Sequence, residues 1–256
     1  MSAMLLEVER LSKSFGGVQA VQDVSFGVAQ GEMVAVIGPN GAGKTTLFNA
    51  ISGIFPPTGG FVRFQGVVTN GKKPHELAML GMTRTFQNLQ LFSDMTVAEN
   101  VMVGFHPRLT GGIFSAGFRL PRAAKEEQTA REEALSRLAQ VGLAHLAAEK
   151  AGTLPYGMQR LVEIARAAVS RPSLILLDEP MAGLNPQESR RLVDVLLVMR
   201  EQGFTFLFVE HDMETVMAIA DRIVVLDYGK KIAEGAPEEI VRHPDVIKAY
   251  LGEETV

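Results

Sequence analysis

Gly38-Pro39-Asn40-Gly41-Ala42-Gly43-Lys44-Thr45 is the stretch whose residue types and spacing are best suited to chemistry. It follows the apolar run Met33 to Ile37 and leads into Thr46-Leu47-Phe48-Asn49-Ala50-Ile51, so it reads as a loop between a buried strand and a helix. A chain wrapped around a phosphate must bring several backbone N–H groups within hydrogen-bonding distance, and Cβ atoms would stand in the way. Gly38, Gly41 and Gly43 remove them. The start of the following helix adds partial positive charge, Lys44 reaches the outer phosphates, and the Thr45 hydroxyl suits one Mg²⁺ position. The pattern predicts a nucleoside triphosphate held with Mg²⁺ by residues 38 to 46.

A second group stands in Leu174-Ile175-Leu176-Leu177-Asp178-Glu179, where two acids close a buried apolar run. Alone, such acids read equally well as turn residues where a strand stops before Pro180. In a chain with a phosphate loop, the carboxyl end of a buried strand is where ligands sit. Asp178 is then assigned to the metal, and Glu179 to orienting or deprotonating an attacking water.

These groups need a scaffold, and the composition allows one. The chain has 256 residues, 46% of them hydrophobic, enough for one large domain or two small ones with a substantial core. Its net charge of −4, with acids and bases interspersed, lends no support to a nucleic-acid role. The absence of cysteine excludes disulfides, thiolate metal sites and a cysteine nucleophile. Met1 to Arg10 carries Glu7 and Glu9 and has no basic leader, so it does not read as a signal peptide. No apolar run approaches the roughly 18 to 20 residues that cross a bilayer, so a membrane role is expected to run through a partner.

Alternation around Leu6 and Val8, and again around Val24, Phe26 and Val28, predicts half-buried strands of an antiparallel layer, with a further strand at Phe61 to Phe64. Helical character begins near Pro74 and is interrupted by an extended piece at Thr83 to Gln87. Thr96-Val97-Ala98-Glu99 has capping-box spacing and predicts a helix to about Val103. After an irregular stretch from Phe105 to Pro121, Ala123 to Val141 reads as a long helix packed through Ala130, Ala134, Leu138 and Val141. A second follows Gly157 with Leu161, Ala165, Ala168 and Val169 on one face. Leu174 to Leu177, Phe204 to Val209 and Ile223 to Leu226 are runs of the kind buried on both faces of a parallel sheet. Leu192, Val195, Leu196 and Met199 make a helix face between the first two, and a strand near Ile232 and short helices near Pro237 and Pro244 end the chain.

Further motifs give these elements a family resemblance. Leu154-Pro155-Tyr156-Gly157-Met158-Gln159-Arg160 stands in the place of an LSGGQ-type signature, Ala182-Gly183-Leu184-Asn185 resembles a D-loop, and His211 in Val209-Glu210-His211-Asp212 resembles a switch histidine. With Gln87 in Thr85-Phe86-Gln87, the order over essentially the whole chain is that of an ABC-transporter ATPase. The finer likeness is to branched-chain amino-acid (LIV-type) importer ATPases of the LivG-like kind. It rests on Arg84 to Asn88, Met95 to Asn100, Met181 to Pro186, Glu210 to Met213, Pro244 to Gly252 and an insertion near Thr110 to Phe114.

The resemblance implies an α/β fold: a P-loop NTPase (RecA-like) parallel-sheet core, an N-terminal antiparallel β subdomain and an inserted α-helical subdomain. The core would take 1–87 and 166–256 of a single ATPase domain, and the helical part 88–165. It also implies that Phe15 stacks on adenine, that Gln87 links the γ-phosphate and Mg²⁺ to the membrane partner, and that His211 contacts the γ-phosphate. Gly157 would face the ATP of a second ABC ATPase, the same chain or a related one, in a head-to-tail dimer. Transmembrane permeases and, indirectly, a substrate-binding protein complete the expected partners, and the chain itself is expected in the cytoplasm, peripheral on the cytoplasmic face of the inner membrane. By their residue types alone, Phe15 reads also as a core aromatic, Gln87 as a surface amide and His211 as a structural histidine. The pattern is departed from at Pro155, where the signature has serine, and at Met158, where it has glutamine. The competing readings are the ATPase of an amide, urea or lipopolysaccharide transport system, a subunit that clamps ATP but hydrolyses it poorly at one of two unequal sites in a mixed dimer, and a soluble ATPase of repair or translation. The last is disfavoured by the single ATPase unit and the lack of a long coiled coil or basic run.

Overall fold

The computed structural model describes residues 4–85, 89–108 and 121–251. The opening alternation becomes β1 (Met4–Phe15) and β2 (Val18–Ala29), paired antiparallel, with Leu6, Val8, Val24, Phe26 and Val28 buried and Glu7, Glu9, Ser25 and Gly27 partly exposed. β4 (Gly59–Phe64) and the short β5 (Val67–Val68) complete a sheet of order β2-β1-β4-β5.

The apolar runs build a second, six-stranded sheet from β3 (Met33–Ile37), β6 (Met82–Arg84), β7 (Leu174–Asp178), β8 (Thr205–Val209), β9 (Arg222–Asp227) and β10 (Lys230–Gly235). The order is β10-β9-β3-β8-β7-β6, and all neighbours are parallel except β10 with β9. Every residue of β3, β7 and β8 is buried, the condition that selects continuous apolar runs over alternation. Register matters most for function. Val36 and Asp178 both lie opposite Val209, so the segments after β3, β7 and β8 leave the sheet at one level of its carboxyl edge.

By contacts the chain divides into a unit of residues 1–87, 173–183 and 189–256 and a unit of residues 88–172 and 184–188. In the first, α1 (Lys44–Ile51) follows β3, and α2 (Pro74–Leu80) precedes β6. The second holds α3 (Val97–Val103), α4 (Pro121–Gln140) and α5 (Tyr156–Ala168). Thr96 caps α3, accepting from the Glu99 N–H while the Glu99 carboxylate accepts from the Thr96 N–H, as the spacing predicts. The expected faces of α4 and α5 are buried. α4 starts two residues earlier than its apolar pattern, because Pro121 fits a helix's first turn. The Thr110 to Phe114 insertion lies outside the described residues.

Helix α6 (Pro186–Glu201) buries Leu192, Leu196 and Met199 and leaves Val195 of the expected face half-exposed. α7 (Met213–Ile219), α8 (Pro237–Ile240) and α9 (Pro244–Leu251) follow. Among the described residues no helix is long and apolar enough to cross a membrane.

Candidate functional site

The loop between β3 and α1 depends on glycine at two points. Gly38 has φ +149° and a Cβ there would lie 2.0 Å from the Leu226 carbonyl oxygen, while at Gly43, with φ +96°, it would lie 2.3 Å from that of Ala20. Both positions combine a backbone that favours glycine with backbone approaching from another strand or turn. Pro39 and Ala42 are buried, Asn40 and Gly41 exposed, Thr45 exposed and Thr46 half-buried. Lys44 is nearly buried, and its Nζ donates to the Gly38 and Pro39 carbonyls at 2.5 and 2.9 Å. The ammonium is thus drawn over the start of the loop whose N–H groups would take a phosphate.

At the end of β7, Asp178 is buried, and Arg84 Nη2 donates to its Oδ2 at 2.6 Å. The same guanidinium donates to Asn49 Oδ1 at 2.8 Å and Ser52 Oγ at 2.5 Å, tying the acid to α1 and its carboxyl end. Glu179 follows with φ +46°, a left-handed conformation that costs a non-glycine residue on the order of 1–3 kcal/mol and persists where surroundings over-determine it. Its N–H donates to the Val209 carbonyl at 3.0 Å, and its carbonyl accepts from Ala182 at 3.1 Å. Strand β8 and a tight turn therefore fix the backbone that carries the carboxylate.

At the end of β8, Glu210 is fully buried. Burial pushes its carboxyl above the usual range, and N–H donation from Met181 and His211 opposes that rise. The adjoining His211 side chain is 63% exposed, so it is no core histidine. Asp212 caps α7 by accepting from the Glu214 and Thr215 N–H groups. Phe15, half-exposed at the end of β1, meets Phe55 edge-on at 5.3 Å, with Lys13 Nζ 5.1 Å from its centroid. The core-aromatic reading of Phe15 fails, and a half-exposed ring with a cation over it remains. Gln87 lies outside the described residues.

In the helical unit, Pro155 stands at the start of α5, where its fixed φ of −53° needs no N–H donor, and Gln159 Nε2 donates back to the Leu154 carbonyl at 2.8 Å. A Cβ at Gly157 would lie 2.5 Å from Glu188 Oε1, so a larger residue there would displace the Glu188 side chain. Glu188 Oε2 accepts from the Asn185 N–H, and Asn185 Oδ1 accepts from Gln187 and Glu188. Arg84, Glu210 and Glu188 were not singled out by sequence. Arg84 and Glu210 sit beside motif residues, and for Glu210 a charge closing an apolar strand run is the signal that could have marked it.

A phosphate loop, an Asp-Glu pair and a histidine loop, delivered at one edge by β3, β7 and β8, define a nucleoside-triphosphatase of the ATP-binding-cassette class. Comparison with known proteins agrees. A family model described as "ABC transporter" matches residues 21–182, and one described as "Branched-chain amino acid ATP-binding cassette transporter" matches residues 230–256. The high-affinity branched-chain amino acid transport ATP-binding protein BraF of Pseudomonas aeruginosa is 46% identical over 254 residues, covering 99% of this chain and all of that protein. A crystal structure of the ADP conformation of an ATP-binding cassette from an ABC transporter superposes with a TM-score of 0.85 at 35% identity, covering 98% of this chain and 100% of that one. A dimeric cassette in a post-hydrolysis state with ADP and Pi gives 0.75 at 26% identity, covering 91% and 98%. The chain belongs to the ABC transporter ATP-binding family and is an ATPase.

Proposed function

We propose that this chain is the ATP-hydrolysing subunit of an importer for branched-chain amino acids, working as a single ATPase domain with residues 88–165 inserted between 1–87 and 166–256. The observation that carries the chemistry is the common departure level of the loops after β3, β7 and β8, which gathers Lys44, Asp178, Glu179 and His211 from distant parts of the sequence. The solute is carried by likeness to BraF over the full length and by the match at residues 230–256.

Residues 38 to 46 hold the phosphates through backbone N–H groups, with Lys44 turning from the loop carbonyls to the outer phosphates, and Phe15 stacks on the adenine. Thr45 and Asp178 offer a hydroxyl and a carboxylate, the hard oxygen donors that suit Mg²⁺, and Gln87 adds an amide oxygen. Bound there, Mg²⁺ neutralises charge on the phosphates. Glu179 takes a proton from the water that attacks the γ-phosphorus, the bond to the bridging oxygen breaks, and ADP and phosphate leave. His211 contacts the γ-phosphate.

The chain pairs head-to-tail with a second ABC ATPase, itself or a related subunit, and the start of α5 with Gly157 closes on the partner's ATP; the dimeric cassette with ADP and Pi supports this arrangement. Closure and reopening drive transmembrane permeases, which receive solute from a substrate-binding protein, so the chain sits peripherally on the cytoplasmic face of the membrane. Pro155 favours an unequal dimer, since it offers neither the hydroxyl nor the N–H of a signature serine. Purification of the tagged chain from membranes, with identification of every co-eluting protein, tests the assembly. Two permeases with a second ATPase are expected, and recovery without any membrane protein would contradict it.

A further inference from the structure

We propose that Glu210 is a positioning residue that locks the turn carrying Glu179 to the loop carrying His211, so that the attacking water's base and the γ-phosphate contact move as one piece. The inference deepens the reading of Glu179 and His211 given above and rests on it. Glu210 is fully buried at the end of β8. Its Oε1 accepts from the Met181 N–H at 2.9 Å, two residues beyond Glu179, and its Oε2 accepts from the His211 N–H at 3.1 Å. The Val209 carbonyl beside it takes the Glu179 N–H, so the last residue of β8 and the one that follows grip the turn 179–182. That turn runs directly into Gly183-Leu184-Asn185, the segment that resembles a D-loop.

Two backbone donors converging on one side chain call for a group that only accepts. A carboxylate does this with both oxygens, whereas a glutamine amide would turn an NH₂ toward one of the N–H groups. Burying a charge is costly, and a residue that only filled space at this strand end would be apolar like Phe206 to Val209 before it in β8. The strained φ of Glu179 gives the grip its purpose, since that conformation must be imposed from outside.

The test is Glu210→Gln, read by equilibrium ATP binding, kcat and KM, and melting temperature. Because misplacing a catalytic group by about 1 Å can cost on the order of a hundredfold, kcat is expected to fall roughly ten- to a hundredfold. ATP affinity is expected to stay within about twofold, because the phosphate loop is untouched, a split that general loss of stability would not give. In a His211→Ala background the further loss should be smaller than in wild type, the mark of coupled groups. If Glu210→Gln fails to fold, Glu210→Asp keeps the charge but is one methylene too short to bridge both donors, and the same split is expected. Wild-type kcat in the Glu210 variants beside an inactive Glu179→Gln would overturn this inference alone. Wild-type turnover in Glu179→Gln would bring down the reading of the site, and this inference with it.

Discussion

On the function proposed above, Lys44 serves binding and Glu179 bond cleavage, and their substitution should separate the two. Glu179→Gln keeps the shape but removes the proton acceptor, so turnover should fall at least a hundredfold, within the ~10²–10⁴-fold range of general-base contributions, while nucleotide affinity persists. Steady-state hydrolysis and equilibrium binding of the purified variant check both halves. Lys44→Ala removes a charge-assisted contact worth about 1.5–3 kcal/mol, so MgATP affinity should weaken roughly ten- to a hundredfold, measured by calorimetry. The two residues were legible in the sequence for different reasons. Lys44 belongs to a contiguous loop whose eight residues carry their own geometry, and Glu179 closes an apolar strand. Arg84 was not legible as the partner of Asp178, because the pair joins residues 94 apart in sequence through strand pairing that no local pattern encodes.

At the scale of elements, periodicity located the buried strands and the longer helices, since both write their packing into side-chain spacing. It missed α7, whose seven residues span barely two turns. There the cap is the informative signal. The Thr215 hydroxyl and the N–H groups of Thr215 and Glu214 hold the Asp212 carboxyl below its ordinary value of 3.8. A carboxyl lowered by folding contributes stability above its unfolded pKa and loses it as pH falls through the folded one. Asp212→Ala should therefore cost about 1 kcal/mol near neutral pH, and that difference should close as pH drops below 3.8. Urea melts of both proteins across the acid range would reveal it, and a pH-independent difference would refute the cap's charge. The contact between Gly157 and Glu188 was equally hidden, because it brings the start of α5 against the first turn of α6, some thirty residues later.

For the whole molecule, the decisive question is how two ATPases share one engine. In the mixed dimer proposed above, the missing hydroxyl and N–H at Pro155 predict that the site completed by this chain's signature is the less tightly closed of the two. A missing hydrogen bond to a charged group is worth about 1.5–3 kcal/mol, roughly ten- to a hundredfold in sandwich stability. Pro155→Ser should strengthen ATP-driven dimerisation with the partner ATPase, seen by light scattering, and no gain in dimerisation or turnover would sink the unequal-site idea.

The central claim, that ATP hydrolysis at Glu179 drives import of branched-chain amino acids, is tested most directly by uptake of labelled leucine into proteoliposomes. These would hold the co-purified permeases and both ATPases, with binding protein and leucine outside and ATP enclosed. The account predicts ATP-dependent uptake with wild type and, with Glu179→Gln, a rate reduced at least as far as this chain's share of the hydrolysis. Uptake at the wild-type rate with the Glu179→Gln chain, or no leucine uptake by an assembly whose ATPase is active, would contradict it.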